Sequence, residues 1–217
     1  MILADLLTKQ AKTYFTRQEL ERDLDMEPVA CSPCEGQAKG YSLSYKCCTY
    51  FPFLANHIVG GFTEEHLEKL SSAGGLITHL GIHPSKQYRE QFALSRFGTN
   101  DDLSCPMYKG GQCSIWSTRP VECQMYFCSK PGEHKVWKQA KNFANEMEMG
   151  LSQLSALYAG ANLKQIQWSI DVFSHNESKY SLQEMLSFYR DCHAIYQQNS
   201  VLWIRQLRQE LEFILQA

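Results

Sequence analysis

The stretch Cys105–Cys128, CPMYKGGQCSIWSTRPVECQMYFC, limits the fold more than any other part of the chain. It sets Cys105, Cys113, Cys123 and Cys128 in a short run broken by turn residues, too rich in Gly and Pro to read as one helix or strand. A second thiol-rich stretch lies upstream, with Cys31 and Cys34 followed by Cys47 and Cys48. Long irregular loops are uncommon in compact domains unless something orders them. A thiolate-bound metal does this, because binding the ion and folding the loop are coupled. The two groups are therefore expected to meet around metal.

The spacings suit that role in detail. Cys31-x-x-Cys34 offers two sulfurs from one tight turn. Cys113 and Cys123 enclose Arg119-Pro120, and Cys123-x4-Cys128 follows. Proline fixes one backbone angle of that loop. Four thiolates around Zn²⁺ leave about two negative charges, which the Arg119 guanidinium would offset. In an extended segment the adjacent Cys47 and Cys48 point to opposite faces. Either one is a bystander or each serves a different centre, so the eight cysteines make two sites of four, one larger cluster, or one site with spare thiols. The ninth, Cys192, lies on an apolar helical stripe and reads as a buried bystander.

The chain has 217 residues and a formal net charge of −2, enough for one domain with a full core and too little basic charge to point to nucleic acid. The start, MILADLLTKQAKTYF, lacks the basic residue that would precede the apolar run of a signal peptide, and Asp5 interrupts that run. No run of apolar residues is long enough for a membrane span. A cytoplasmic location is expected, where thiols stay reduced and clustered cysteines bind metal. Disulfides in an exported protein are the competing reading.

Periodicity predicts a mainly α chain. Residues 1–25 read as helical, with a Thr16-x-x-Glu19 capping box; residues 26–50 read as irregular. FPFLANHIVGGF, 51–62, fits a short helix or an extended segment. Thr63 caps TEEHLEKLSSAG, GLITHLGIH suggests a further short element, and PSKQYREQFALSRFG suits a helix. The strongest helix runs from Glu133 to about Tyr158, on a stripe that includes Phe143, Ala144, Met147, Leu151 and Leu154. LKQIQWSIDVF, 163–173, alternates in part, as a strand would. Ser181-x-x-Glu184 opens a helix, and another is expected from about Ser200. The resulting architecture is a single domain, 1–217, of packed helices. Its cysteine-rich loops are 26–62 and 99–132, and 133–217 is its helical C-terminal part.

CSPC, then KCCTYFPFLANHIVGGF, then C-x7-C-S-I-W-x-x-R-P-x-x-C, resemble the cysteine-cluster family described as a zinc- or iron-chelating domain, which includes the flagellin lysine N-methylases. The likeness covers residues 31–62 and 105–128. It implies Cys31, Cys34, Cys47, Cys48, Cys105, Cys113, Cys123 and Cys128 as ligands. Zinc and iron–sulfur clusters both accept four thiolates. Eight loop cysteines exceed what one structural zinc needs, which favours iron–sulfur, 4Fe–4S first.

No G-x-G-x-x-G follows a strand, and neither a P-loop nor a G-x-S-x-G elbow is present. The histidines carry little weight as ligands: His134 follows the last cluster cysteine, while His57, His66, His175 and His193 read as surface or packing residues, and Gly81 and Pro84 spoil a helical His79–His83 pair. The expected function is a metal-binding cysteine-cluster protein. Two alternatives stand beside it: a cluster-dependent enzyme modifying a protein side chain, as the N-methylase relatives imply, and a zinc-stapled helical module that binds a protein partner.

Overall fold

The computed structural model describes residues 51–93, 104–109, 112–124, 135–175 and 178–216. Cys31, Cys34, Cys47, Cys48 and Cys128 lie outside them, as do the expected helix over 1–25, the loop over 26–50, Gly110-Gly111 and His134. The described residues are mainly helical, as the periodicity requires. No described helix is long and apolar enough to cross a membrane.

FPFLANHIVGGF is both extended and helical. Strand β1, Leu54–Ala55, runs directly into the one-turn helix α1, Asn56–Val59. Asn56 makes that turn work. Its side-chain amide donates to the carbonyls of His79 and Ser152, each at 2.9 Å, and its Oδ1 accepts from the His57 N–H at 2.6 Å. All three bonds are buried, so the amide stands in for a backbone partner at each. Thr63 then caps α2, Glu64–Ser72, with Glu64 and Glu65 in its first turn, as the sequence indicates.

GLITHLGIH forms a hairpin of β2, Leu76–Thr78, and β3, Gly81–His83. The sheet order is β1-β3-β2, all antiparallel, with Leu54 opposite Ile82 and Ile77 opposite Ile82 on the other side. Gly81 has φ of 139°, and a Cβ there would sit 2.1 Å from the Leu54 carbonyl oxygen, so only glycine fits between β1 and β2. Helix α3, Lys86–Ala93, follows Pro84. A second hairpin, β4 Tyr108–Lys109 and β5 Gln112–Cys113, leads through a 3₁₀ turn at Trp116–Thr118 to the short α4, Val121–Gln124. The described residues within 99–132 are thus more regular than expected.

Helix α5, Lys135–Tyr158, matches the strongest stripe. The segment 163–173 is not a strand. It forms α6, Leu163–Ile170, and the first two residues of α7, Val172–His175. The deciding signal is a capping box: Asn162 Oδ1 accepts the Gln165 N–H at 3.0 Å, while Gln165 Oε1 accepts the Asn162 N–H at 2.8 Å. The last two expected helices are one, α8, Leu182–Gln216. No Gly or Pro interrupts it, and Asn199 is accommodated by donating to the Ile195 carbonyl at 2.8 Å. The Ser181–Glu184 box opens it as expected.

The main core gathers Phe51, Leu54, Val59, Leu67, Leu70 and Ile82 against Leu182, Met185 and Tyr189 of α8. The Tyr189 hydroxyl donates to the Thr78 and Gly81 carbonyls at 2.6 and 3.1 Å, joining α8 to the hairpin turn. At Gly60, past the end of α1, an added Cβ would lie 1.9 Å from the Tyr189 carbonyl oxygen, so α1 and α8 touch backbone to backbone. A second cluster sets Leu151 of α5 beside Trp203 of α8. The Ser152 hydroxyl donates to the Leu80 carbonyl, tying α5 to the turn between β2 and β3.

Candidate functional site

Cys105 and Cys113 leave the same small hairpin. The Cys105 carbonyl accepts the Tyr108 N–H at 2.9 Å, and Tyr108 pairs with Cys113 across the strands. Met107, between them in the chain, is 1% exposed and plugs into the main core, as does Ile115; Cys105 and Cys113 pack half-buried against the same cluster. The Met107 carbonyl accepts from both the N–H and the hydroxyl of Ser114, at 2.8 and 2.9 Å. Tyr88 of α3 donates to the Ser104 carbonyl at 2.8 Å and pins the hairpin's entrance. Burial, and then the charge of the nearby Cys105 thiol, push the Tyr88 hydroxyl above its usual range.

Cys123 sits on α4, also half-buried. The Pro120 carbonyl accepts the Cys123 and Gln124 N–H groups at 2.9 and 3.1 Å, which closes the turn. Arg119, expected as the cation beside the thiolates, stacks its guanidinium on the Trp116 ring, 3.3 Å from the centroid, and its Nε donates to the Trp116 carbonyl at 3.0 Å. Its charge is held inside the loop that carries Cys113 and Cys123.

Cys192 differs from the three loop cysteines in its surroundings. Cys192 is fully buried on α8, and burial pushes its thiol up to about 12, which makes it a poor nucleophile and a poor ligand. Among the described residues no group of three or more His, Cys, Asp or Glu is arranged to hold a metal ion. The described part of the chain therefore brings Cys105 and Cys113 onto one hairpin and places Cys123 on the next turn, with the other five expected ligands outside it.

No family model, curated protein or solved structure matches this chain. The site must be read from its own chemistry.

One residue bonded to the turn that carries Cys123 has no counterpart in the motifs read from the sequence. Glu148 of α5 is 7% exposed, and its Oε1 accepts the N–H of Val121, the first residue of α4, at 2.9 Å. Burial, with a smaller push from the neighbouring Glu122 carboxylate, raises its carboxyl to about 7, against the opposing effect of the Val121 bond. Glu148 lines a cavity of about 180 Å³ together with Phe53, Glu122, Asn145, Glu146 and Met149. The signal was available: Glu148 follows Ala144 by four and precedes Leu151 by three, so it lies on the apolar stripe.

The buried histidines are packing residues of the core. His57 stacks on Tyr196 with centroids 4.1 Å apart, and its carbonyl meets His193 Nδ1 at 2.7 Å. His79 makes edge contacts with Tyr180 and Phe188, and His83 lies beside Phe53 and Thr78. Burial, helped by the nearby His193 and Arg89, lowers His57 and His83 to about 3 each, so both are neutral packing residues at pH 7.

Proposed function

We propose that this chain is a metal-binding cysteine-cluster protein, holding an iron–sulfur cluster or zinc through Cys31, Cys34, Cys47, Cys48, Cys105, Cys113, Cys123 and Cys128. The cysteine-cluster family that its motifs resemble supplies the full ligand list. The observation that carries the reading is the contrast among the described thiols. Cys105, Cys113 and Cys123 are half-buried on a hairpin and a turn whose backbones are individually fixed, while Cys192 is sealed in a helix. The donor chemistry fits: partly accessible sulfurs suit soft or borderline metals such as zinc and iron. A bound zinc would join the loops; an iron–sulfur cluster would add electron transfer or an open iron.

The cavity beside α4 is what favours the second reading, a cluster-dependent enzyme acting on a protein side chain. At about 180 Å³ it is smaller than the 300–1,000 Å³ typical of pockets for drug-sized ligands, and suits one side chain rather than a nucleotide.

Protein purified without air and subjected to elemental analysis and visible spectroscopy tests the proposal. Iron with acid-labile sulfide and broad brown absorption is the expected result for a cluster; stoichiometric zinc in colourless protein supports the zinc form. Protein that is folded, metal-free and unable to take up either overturns it. Cys113→Ser and Cys123→Ser are expected to lose metal and Cys192→Ser to keep it.

A further inference from the structure

A buried carboxylate with a backbone partner invites a question about what it holds in place. Glu148 projects from the long helix α5, which Ser152 and Leu151 anchor to the hairpin turn and to α8. Its Oε1 reaches the Val121 N–H at the point where the chain leaves Pro120 and starts α4. The first N–H groups of a helix have no partner within it, and here a side chain 27 residues further along supplies one. Cys123 lies two residues beyond Val121 in the same turn, its own N–H fixed by Pro120. The α4 turn also packs on α5.

We propose that Glu148 is a positioning residue: through Val121 it sets where Cys123 sits relative to the Cys105–Cys113 hairpin. This rests on the metal-binding reading for its consequence but not for its geometry. A carboxylate bonded to an N–H is stronger than a neutral acceptor in the same place. Groups that orient ligands without touching the metal commonly change its affinity by about 10- to 100-fold. The cavity lined by both Glu148 and Glu122 of α4 gives the turn room to shift once that bond is lost.

The test compares the full-length protein with Glu148→Ala and Glu148→Gln. Glutamine keeps an oxygen acceptor for Val121; alanine does not. Two readouts are taken on metal-free, reduced protein. One is the rate at which each cysteine reacts with a small thiol reagent, resolved by mass spectrometry. The other is titration with Co²⁺, followed through its thiolate absorption.

The expected result is a Cys123 rate several-fold higher in Glu148→Ala, with Cys192 still protected, and Co²⁺ binding weakened about tenfold or more. Glu148→Gln should restore both towards the parent. An unchanged Cys123 rate in Glu148→Ala overturns the proposal. So does exposure of Cys192 alongside Cys123, because Glu148 would then be supporting the whole fold. If the parent binds Co²⁺ without a thiolate band, the metal reading fails, and the reactivity of Cys123 still decides whether Glu148 places it.

Discussion

Two regions that share the main core are built on different terms. In the first, β1, the β2–β3 hairpin, α1 and α8 meet around Asn56, Gly60, Gly81 and Tyr189, with backbones in contact and buried carbonyls given donors. In the second, the cysteine hairpin and α4 are held at a few points: Met107 and Ile115 in the shared core, Tyr88 at the entrance, Glu148 at Val121. Close backbone approaches at Gly60 and Gly81 leave the first little room, while a cavity lies where α4 and α5 meet Phe53. The proposed metal centre would suit that difference in attachment. A rigid frame fixes the geometry, and loops attached at few points leave the ion to supply the remaining order.

The sharpest way to break the comparison is at the frame. Gly60→Ala would place a methyl 1.9 Å from a backbone oxygen of α8, and backbone cannot rotate aside as a side chain can. The expected cost exceeds about 4 kcal/mol, at the top of the range for single substitutions. A urea midpoint near that of the parent would show that α1 and α8 are less tightly seated than described.

Met107→Ala attacks the second region at its deepest point. Removing a side chain 1% exposed is expected to cost about 2–4 kcal/mol in transfer and cavity terms. The sharper readout is selective. If the hairpin hangs on Met107, Cys105 and Cys113 should become more reactive than Cys123, because α4 is tied separately to Glu148. Equal reactivity of all three would merge the two attachments into one.

Much of the frame was legible in the chain, for reasons that separate cleanly. Thr63 and Ser181 announced their helices because a cap is a local event, read within four residues. The α5 stripe was long enough to average over exceptions, although it hid Glu148, a polar residue at an apolar position. The β2–β3 hairpin could not be read as strands, since three residues are too few for an alternation to register. In 163–173 an apparent alternation pointed to a strand, whereas the Asn162–Gln165 box is the better physical evidence because it satisfies two helix-end groups at once. At the site, cysteine spacing nominated the thiols, but no local rule predicts that a carboxylate 27 residues away anchors their turn.

Acid and base should act in opposite directions on the frame histidines and on Glu148. His57 and His83, on the frame side, have folded pKa values near 3, below the unfolded 6.5. Their neutral forms fit the core, so the stability they contribute is complete above pH 6.5 and is lost as pH falls towards 3. Glu148 runs the other way. Its folded pKa of about 7 lies above the unfolded 4.5, so the fold is favoured below pH 4.5 and gives up that advantage as pH rises to 7. The difference in unfolding free energy between Glu148→Gln and the parent should therefore grow from pH 4.5 to 7 and then level off, by about 1–3 kcal/mol in favour of glutamine. A difference that stays flat across this window would mean that the carboxyl is better hydrated than its burial indicates.

The smallest effect tests what does not hold the hairpin. Lys109 of β4 donates to Glu65 of α2 at 2.7 Å, and Lys69 lies 3.2 Å from the same oxygen. Together they hold the Glu65 carboxyl at about 2, Lys109 contributing most. That shift invites the view that the ion pair clamps β4 to α2. Exposure argues otherwise: the Lys109 and Glu65 side chains are 65% and 56% accessible, so water and salt screen their attraction. Glu65 also keeps Lys69 when Lys109 is removed. Lys109→Ala should leave the urea midpoint and the reactivity of Cys105 and Cys113 unchanged at 150 mM salt, in contrast to Met107→Ala two residues earlier. A clear loss from Lys109→Ala would move the hairpin's anchorage from the apolar plug to the surface charges, and the cysteine loop would then loosen as salt is added.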